Sequence, residues 1–373
     1  MTWISPATRT TPMYRSLITV FLAFLVLVAG AAEAQEKGRV RIQGRTIEEK
    51  ETAPKVRRII LDYREEMRKF VQSISTFARK RRPNFVLIAE NGLDLLVKRQ
   101  EDDETKSNPA RTYIRSIDGI IQKALFYGDP EFGKPFVNKE KQARLLRLTA
   151  QAKSNGLKVL IIDYAKAPKV IDESYRINAA RGYIPFVAHA PDADLNSLPP
   201  YPKRPYRENP RSILSLRAVK NFLSIVDSTP FGRQDEYTLR LHDTNYDMVV
   251  VDVFHGRLPL RKQAVETLKY KKIGARRLVV ARLDIGSAAS YLYYWKPHWR
   301  EGSPLWISAP TRGDPDKFHV EYWSPEWQRI ITGNIQSYIY GIIDQGFDGA
   351  VLSGLDVYLF FETGREEGEE EEQ

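Results

Sequence analysis

The stretch LKVLIIDY (157–164) is a run of Leu, Val and Ile without polar alternation, and turn residues bound it on both sides. Runs of this kind are typical of parallel strands that are buried on both faces. Seven other stretches share most of this character: NFVLIAEN (84–91), SIDGIIQK (116–123), YIPFVAHA (183–190), YDMVVVDVF (246–254), RLVVARLDIG (277–286), FHVEYW (318–323) and FDGAVLSG (347–354). Helical patterns follow most of these runs, and we expect helices at 139–154, 170–181, 211–226, 261–272 and 325–345.

Strand and helix units that alternate in this way over about 270 residues predict an α/β fold, a (β/α)8 TIM barrel. Residues 54–82 repeat apolar positions at spacings of three and four, which predicts one extra amphipathic helix before the first strand. We therefore expect the barrel domain to span residues 54–361. The segment 191–212 is rich in Pro and Tyr and is expected to form a loop over one end of the barrel.

The N-terminal segment has the pattern of a secretory signal peptide. Arg9 and Arg15 precede an apolar run over 17–30, and the Ala-Glu-Ala sequence that ends at Ala34 has the form of a cleavage site. We expect residues 1–34 to be removed, and the mature bacterial protein to be secreted or periplasmic without stable membrane insertion. A membrane anchor is the alternative, but the run is short and small residues follow it.

The composition limits the other chemistry. The absence of cysteine excludes disulfides and thiolate metal sites. The five histidines are scattered without a metal-ligand spacing, and the sequence has no P-loop and no Gly-x-Ser-x-Gly motif, so we expect no metal and no cofactor. Residues 35–53 are polar and mixed in charge and predict a linker, while 362–373 predicts a disordered acidic tail.

The chain is basic, with a formal net charge of +10. Residues 1–34 hold two Arg and one Glu, and the tail holds seven Glu and one Arg, which leaves about +15 on residues 35–361. An exported basic protein rarely meets nucleic acid, so anionic glycans, lipopolysaccharide or membrane surfaces are the expected partners. A generic solvating surface explains the same charge, and the sequence does not indicate the oligomeric state.

Active sites of TIM barrels lie at the C-terminal ends of the strands. Acidic and aromatic residues dominate at these ends, and a cleft of carboxylates beside aromatic rings is how proteins hold sugars. The sequence therefore predicts a polysaccharide or oligosaccharide partner. The candidate binding residues are Asn91, Gln122, Tyr127, Asp163, Tyr164, Asp252, Asp284, Tyr294, Trp295, Trp323 and Tyr358.

Two structural explanations, without a role in binding, also apply to these candidate residues. Some of the acids can form ion pairs inside the barrel, and Arg282 and Asp284 lie on one face of a strand where they can satisfy each other. The aromatic cluster after the strand predicted at 277–286 is either a sugar platform or loop packing. It contains Tyr291, Tyr293, Tyr294, Trp295 and Trp299.

Several blocks follow one another in a familiar order: RRPNFVLIAENGLDLL, SIDGIIQKALFYG, KVLIIDYA, GYIPFVA, AVKNFLSIVD, TNYDMVVVDVF, RLVVARLDIGSAASYLYYWKPHW, VEYWSPEWQRII and GFDGAVLSGLDVY. With these blocks, the chain resembles the endo-α-1,4-polygalactosaminidase type of glycoside hydrolase, in its bacterial extracellular branch. The resemblance runs from about residue 56 to 361. It implies an exported TIM barrel with a pair of catalytic acids where the first, second and eighth strands end.

This chain departs from the family at those acids. The family's eighth strand ends in an Asp, with a second Asp three residues later; here Ser353 replaces the first, the expected nucleophile, and Asp356 keeps the second. The family's second strand ends in Gln-Glu, whereas this chain has Gln122 followed by Lys123. Glu90 is an acid gained on the first strand, where the family tends to carry Gln.

A third block loses acids as well, because IGSAAS (285–290) stands where the family usually reads Ile-Gly-Glu-Ala-Glu. Glycoside hydrolysis needs one carboxylic acid as proton donor and a second carboxylate as nucleophile or base. Loss of either group is expected to lower the rate by several powers of ten. Polygalactosamine is also cationic, so a strongly basic barrel favours a neutral or anionic glycan instead.

Two functions of different class follow. The first is an exported glycan-binding barrel with weak or no hydrolase activity, in which Glu90 and Lys123 form an ion pair within about 4 Å that fills the old site. The second is an active endo-glycosidase, on an amino-sugar or other exopolysaccharide, that uses Glu90 and Asp356 as relocated acids. A structural component of the envelope or biofilm matrix, without a small ligand, is a third possibility.

Overall fold

A computed structural model describes residues 61–100 and 103–364 of the chain. Eight parallel strands form one nearly closed sheet, in the order β4-β3-β2-β1-β8-β7-β6-β5, with β4 and β5 side by side at its two edges. This arrangement confirms the predicted TIM barrel. The strands are β1 (Val86–Glu90), β2 (Gly119–Lys123), β3 (Lys158–Tyr164), β4 (Ile184–Ala188), β5 (Phe222–Ser224), β6 (Met248–Asp252), β7 (Leu278–Asp284) and β8 (Gly349–Ser353).

Helices surround this sheet: α1 (Tyr63–Arg81), α2 (Arg111–Ser116), α3 (Lys139–Ser154), α4 (Pro168–Ala180), α5 (Gln234–His242), α6 (Lys262–Leu268), α7 (Pro325–Thr332), α8 (Tyr338–Gln345) and α9 (Tyr358–Thr363). Helix α1 is the predicted extra helix. It begins after Asp62, whose side chain accepts a hydrogen bond from the Glu65 N–H at 2.9 Å, and it buries Met67, Phe70 and Ile74 against the barrel.

Two assignments made from the sequence are wrong. The run 318–323 is not a barrel strand, because Asp314–Val320 pairs antiparallel with Ser287–Ala289 and Ile307–Thr311 in a small sheet inserted after β7. Its polar and apolar residues alternate, which is typical of a half-buried antiparallel strand. The fifth barrel strand is β5, inside the predicted helix 211–226, and its three residues are too few to give a strand pattern of their own.

Other boundaries need smaller corrections. The predicted helix 325–345 is two helices, α7 and α8, and α5 lies in a segment for which no helix was predicted. The predicted helix 261–272 is the shorter α6. The segment 191–212 is a loop, as predicted, apart from a single 3-10 turn at Asp192–Asp194. Two short hairpins complete the strands: Val97–Gln100 with Asp103–Pro109, and Phe254–His255 with Leu258–Pro259.

The predicted signal peptide (1–34) and linker (35–53) lie outside the described residues, as does the tail beyond Gly364. Glu362 was assigned to that tail but belongs to α9, and its carboxylate forms an ion pair with Arg64 of α1 at 2.8 Å. Among the described helices, none combines the length and the apolar character that a membrane crossing requires.

The strand register brings the candidate catalytic positions to one level. Ala89 of β1 lies opposite Leu352 of β8, and Ser353 of β8 lies opposite Asp284 of β7. Glu90, Ser353 and Asp284 therefore end side by side on three neighbouring strands. A glycine at position 349 lets β8 approach β1 this closely, because a Cβ there would overlap the backbone carbonyl of Val86.

We expect Gly349→Ala to lower the free energy of unfolding by about 1–3 kcal/mol, because the added methyl overpacks two strand backbones that cannot move apart. The matched control is Gly341→Ala on α8, where a Cβ would meet no atom within 4 Å. This control should be neutral or stabilising by up to about 1 kcal/mol. Urea denaturation measures both, and equal stability of the two variants would contradict the proposed role of Gly349.

Candidate functional site

Charged side chains fill the centre of the barrel mouth. Glu90 ends β1 and is only 4% exposed. Its Oε1 atom lies 2.8 Å from Lys123 Nζ, at the end of β2, and 2.9 Å from Arg282 Nη2, on β7. The ion pair predicted between Glu90 and Lys123 is confirmed, and Arg282 adds a second cation to the same carboxylate oxygen.

A second acid completes the group. Asp192 comes from the loop after β4, and its Oδ2 atom lies 2.9 Å from Lys123 Nζ and 3.0 Å from Arg282 Nη2. Acids and bases thus alternate around a closed ring of four side chains, which we call the charge quartet: Glu90, Lys123, Asp192 and Arg282. The hydroxyl of Tyr164, at the end of β3, donates to Asp192 Oδ1 at 3.4 Å. The formal charge of the quartet is zero.

The charges within the quartet reinforce one another. Burial alone would raise the pKa of Asp192, but Arg282 and Lys123 hold that pKa well below its usual value. Burial would likewise lower the pKa of Arg282, yet Glu90 and Asp192 raise it above its usual value. The pKa of Tyr164 is well above its usual value, because of burial and of the neighbouring acids Asp192 and Glu90. Asp192 and Arg282 therefore stay charged, and Tyr164 stays neutral, near physiological pH.

Arg282 and Asp284 do not form an ion pair with each other, so that pairing is wrong, but the broader alternative that acids at the mouth form ion pairs is confirmed by Glu90 and Asp284. Arg282 turns to the quartet, whereas Asp284 binds Lys317 Nζ at 2.7 Å and accepts a hydrogen bond from Ser287 Oγ at 2.8 Å. Burial opposes ionisation of Asp284, but Lys317 outweighs it and keeps the pKa of this acid low. The cation belongs to the inserted antiparallel sheet, and nothing in the strand pattern of β7 points to it.

Beside the quartet, a polar pocket of about 400 Å³ opens where β1, β7 and β8 end. We call it the seam pocket. Three predicted site residues, Asn91, Asp284 and Asp356, line it together with Lys317 and His319. Ser353, at the end of β8, is buried. Within the described parts of the chain, no three His, Asp or Glu side chains are arranged to hold a metal ion.

Asp252 ends β6, and the pKa of its carboxyl group is shifted in the opposite direction from those of Asp192 and Asp284. Its Oδ1 atom accepts a hydrogen bond from the Phe254 N–H at 2.7 Å. Burial raises the pKa of Asp252 to about 6, although this hydrogen bond and the charge of Arg282 act in the opposite direction. This carboxyl therefore changes its protonation state closer to neutral pH than an ordinary Asp does.

Three predicted binding residues are buried in this structure, and their contact with a sugar stays a prediction. Asp163 is 0% exposed and accepts hydrogen bonds from Ser174 and Asn178 of α4, at 2.6 and 2.9 Å, so it fastens α4 to β3. Gln122 is buried and donates to the carbonyl of Lys123. Tyr358 is buried beneath the guanidinium of Arg64. Asp163 and Gln122 lie near the ends of barrel strands and Tyr358 begins α9, but each of these side chains bonds to or packs against groups outside the quartet.

The remaining predicted aromatic residues have contacts with groups outside the quartet. Trp323 packs against Tyr63 and Phe361, with ring centroids 5.2 and 4.8 Å apart. Tyr127 lies on the loop held by Asp163, which accepts a hydrogen bond from the Tyr127 N–H at 3.3 Å.

Two aromatic residues of the cluster after β7, Tyr294 and Trp295, were predicted to bind a sugar, and both take part in packing. Tyr294 accepts a hydrogen bond from the Ala289 N–H at 3.3 Å, and the ring of Trp295 stacks on Phe318. Loop packing thus explains part of this aromatic cluster. Contact of Tyr294 and Trp295 with a sugar stays a prediction.

The structure adds three site residues that the sequence did not predict: Arg282, which was expected to pair with Asp284, and also Asp192 and Lys317. Asp192 and Lys317 both belong to connecting segments, one to the long loop after β4 and the other to the inserted sheet. The sequence predicts that the long loop lies over one end of the barrel, and its segment PDAD (191–194) contains two acids. These two features together could have indicated an acid such as Asp192 at the mouth. No comparable signal marks Lys317.

No family model matches the chain. It is similar to a protein of Deinococcus radiodurans, with 31% identity over 118 residues, which cover 32% of this chain and 36% of that protein. A Thermotoga maritima protein is 28% identical over 150 residues, covering 40% of this chain and 45% of the relative. A Methanocaldococcus jannaschii protein is 32% identical over 127 residues, covering 34% and 35%. All three are described as uncharacterized proteins, and the chain spans less than half the length of each.

The quartet should contribute measurable stability. We expect Lys123→Met to lower the free energy of unfolding by about 2 kcal/mol at pH 7, because the buried Glu90 and the partly exposed Asp192 are left with one cation. The depressed pKa of Asp192 gives stability above about pH 4 that is lost as the pH falls. Because loss of the Lys123 ammonium would weaken this contribution, the variant and the wild type should converge in acid.

The matched control for that variant is Lys262→Met, which breaks an exposed ion pair with Asp344 and should cost less than about 0.5 kcal/mol. Denaturation curves of the wild type and of both variants, at several pH values between about 3 and 8, measure these differences. A loss for Lys123→Met no larger than that of the control would show that the quartet contributes nothing to stability.

Asp252 gives a pH-dependent prediction of the opposite sign. Because burial raises its pKa to about 6, the folded protein binds a proton that the unfolded chain releases near pH 4, so stability is lost as the pH rises through this window. Asn stays neutral and still accepts from Phe254. We expect Asp252→Asn to be more stable than the wild type by about 1–3 kcal/mol at about pH 7.5 and equally stable near pH 4.

The same denaturation series on the exposed variant Asp235→Asn should show no such pH-dependent difference. A gap between Asp252→Asn and the wild type that stays constant from about pH 4 to 7.5 would mean that Asp252 does not titrate in this window.

Proposed function

We propose that the protein binds a polysaccharide at the barrel mouth, is related to polygalactosaminidase-type glycoside hydrolases, and has weak or no hydrolase activity. The observation that supports this most directly is the state of Glu90. Its carboxylate lies within hydrogen-bond distance of both Lys123 Nζ, at 2.8 Å, and Arg282 Nη2, at 2.9 Å. In this position, the Glu90 carboxylate balances the positive charges of Lys123 and Arg282.

The chemistry of hydrolysis explains why this matters. The leaving oxygen of a glycoside needs a proton from a carboxylic acid, and the developing cation needs a second carboxylate close by. A Glu90 oxygen that accepts charged hydrogen bonds from two cations is not free to donate a proton. Position 123 supplies an ammonium and position 353 a buried hydroxyl, and neither group stabilises a positively charged sugar.

The seam pocket supports binding without turnover. Asn91 and Asp356 offer oxygen acceptors for sugar hydroxyls, and Lys317 offers a donor. A volume of about 400 Å³ is within the range of small-molecule sites. Because Lys317 already neutralises Asp284, the pocket carries no strong negative field that would select a polyamine sugar.

One observation favours the second candidate function, an endo-glycosidase. Asp252 has a pKa of about 6, which suits a general acid near neutral pH, and it lies close enough to Arg282 to respond to its charge. In that case Asp252 would donate the proton and would take the place of Glu90 in the pair Glu90 and Asp356 expected from the sequence. Asp356 still borders the seam pocket and would be the accompanying carboxylate.

The test combines binding and turnover on the same purified protein. A panel of bacterial exopolysaccharides, neutral, anionic and amino-sugar based, is cast into native gels for affinity electrophoresis and is also assayed for released reducing ends. We expect at least one polysaccharide to retard the protein without release of reducing ends above the level of the buffer. Binding should weaken in Asp356→Asn and persist in the matched control Asp235→Asn.

Two outcomes would overturn the proposal. Reducing ends that increase with protein concentration, and that vanish in Glu90→Gln, Asp356→Asn or Asp252→Asn but not in Asp235→Asn, would establish an active glycosidase. No retardation by any polysaccharide would instead support a structural component of the envelope or matrix.

A further inference from the structure

A second cleft lies outside the barrel mouth, between the segment 293–306 that follows β7 and helix α7. Its volume is about 810 Å³, roughly twice that of the seam pocket. None of the residues that line it belongs to the charge quartet or to the seam pocket. We call it the aromatic cleft, after the rings of Tyr293, Trp299 and Trp306 in its walls.

These rings are held in place before any ligand arrives. Trp306 is 3% exposed, and its indole N–H donates to Glu326 Oε2 at 2.9 Å. Trp299 stands edge to face against Trp306, with ring centroids 5.1 Å apart. Tyr293 is 55% exposed, and its hydroxyl donates to the carbonyl of Gln336 at 3.3 Å. Rings fixed by packing lose little conformational entropy on binding, which makes them good platforms for a flat apolar face.

The cleft carries an excess of positive charge. Lys296 places its ammonium 5.3 Å from the centroid of the Trp299 ring, and Arg329 projects from an exposed position on α7. In the described parts of the chain, neither side chain forms an ion pair or a hydrogen bond. Glu326 is the acid of the cleft, and one of its oxygens already accepts from Trp306.

We propose that the aromatic cleft binds an acidic sugar, a pyranose that carries a carboxylate, as uronic-acid residues do. The apolar face of the sugar ring lies on Tyr293 or Trp299, and the carboxylate is bound by Arg329 and Lys296. Arg pairs with a carboxylate through two parallel hydrogen bonds, so it also fixes the orientation of the ring. This site does not depend on binding at the mouth, and either proposal can fail without the other.

A second copy of the chain is the competing occupant. Leu305 and Ile335 flank the cleft and are 84% and 70% exposed, so they offer an apolar rim. The acidic sugar is favoured because the cleft is concave and its two cations, Lys296 and Arg329, have no acidic partners among the described residues. An isologous contact between two copies would bring the same cations together.

The test uses trigalacturonic acid and its fully methyl-esterified form, two probes of equal length that differ in charge. Isothermal titration calorimetry on the full chain should show that the acid form binds at least about tenfold more tightly than the ester. Arg329→Gln should remove about tenfold of that affinity, whereas the matched control Arg240→Gln, on an exposed face of α5, should change nothing. Affinity for the acid form should also fall as salt is added.

Three further measurements complete the design. The double variant Tyr293→Ala/Trp299→Ala should weaken both probes, because it removes both rings on which the sugar can lie. Lys123→Met, in the mouth, should leave the binding of both probes unchanged. Sedimentation of the wild type and of Leu305→Asp should give the same mass.

Equal affinity for acid and ester, no detectable binding of either, or equal effects of Arg329→Gln and Arg240→Gln would each overturn the proposal. A mass that falls in Leu305→Asp would assign the cleft to a second copy of the chain. Loss of trigalacturonate binding in Lys123→Met would place the sugar at the mouth instead.

Discussion

The mouth of this barrel depends on the pairing of two acids, the buried Glu90 and the partly exposed Asp192, with two cations. Glu90 and Asp192 each contact both Lys123 and Arg282, so loss of any one member leaves an unbalanced charge where water is scarce. Asp192 follows β4, an edge strand of the sheet, whereas the other three belong to β1, β2 and β7. The quartet therefore also ties the loop after β4 to the opposite side of the mouth.

This constraint has consequences for what the mouth can do. A charge-neutral ring at the centre leaves binding at the mouth to the polar seam pocket beside it, whereas the aromatic cleft lies outside the mouth. Three acids near the strand ends or in the loops that follow them already have partners: Asp284 pairs with Lys317, Asp163 bonds to α4, and Asp192 belongs to the quartet. Asp252 differs from these three, because burial raises its pKa and no dedicated cation lowers it. For that reason it is the residue on which a surviving hydrolase would depend.

The sequence predicted most of the barrel because buried parallel strands are continuous apolar runs, and it failed where that pattern is absent. Strand β5 is three residues long, and the strand Asp314–Val320 belongs to another sheet. The contact between Glu90 and Lys123 was predictable because both end adjacent strands. Asp192 and Lys317 were not, because loops and insertions reach the mouth along paths that strand periodicity does not encode.

The most direct measurement of the central claim is a double-mutant cycle on the first and second strands. Unfolding free energies of the wild type, Glu90→Gln, Lys123→Met and the double variant at about pH 7 give the energy that couples the two side chains. The account predicts a favourable coupling of about 1–3 kcal/mol, so the double variant should be more stable than the sum of the single losses implies. Single losses that add to within about 0.3 kcal/mol would show that Glu90 is not held by Lys123, and would return it to the candidates for catalysis.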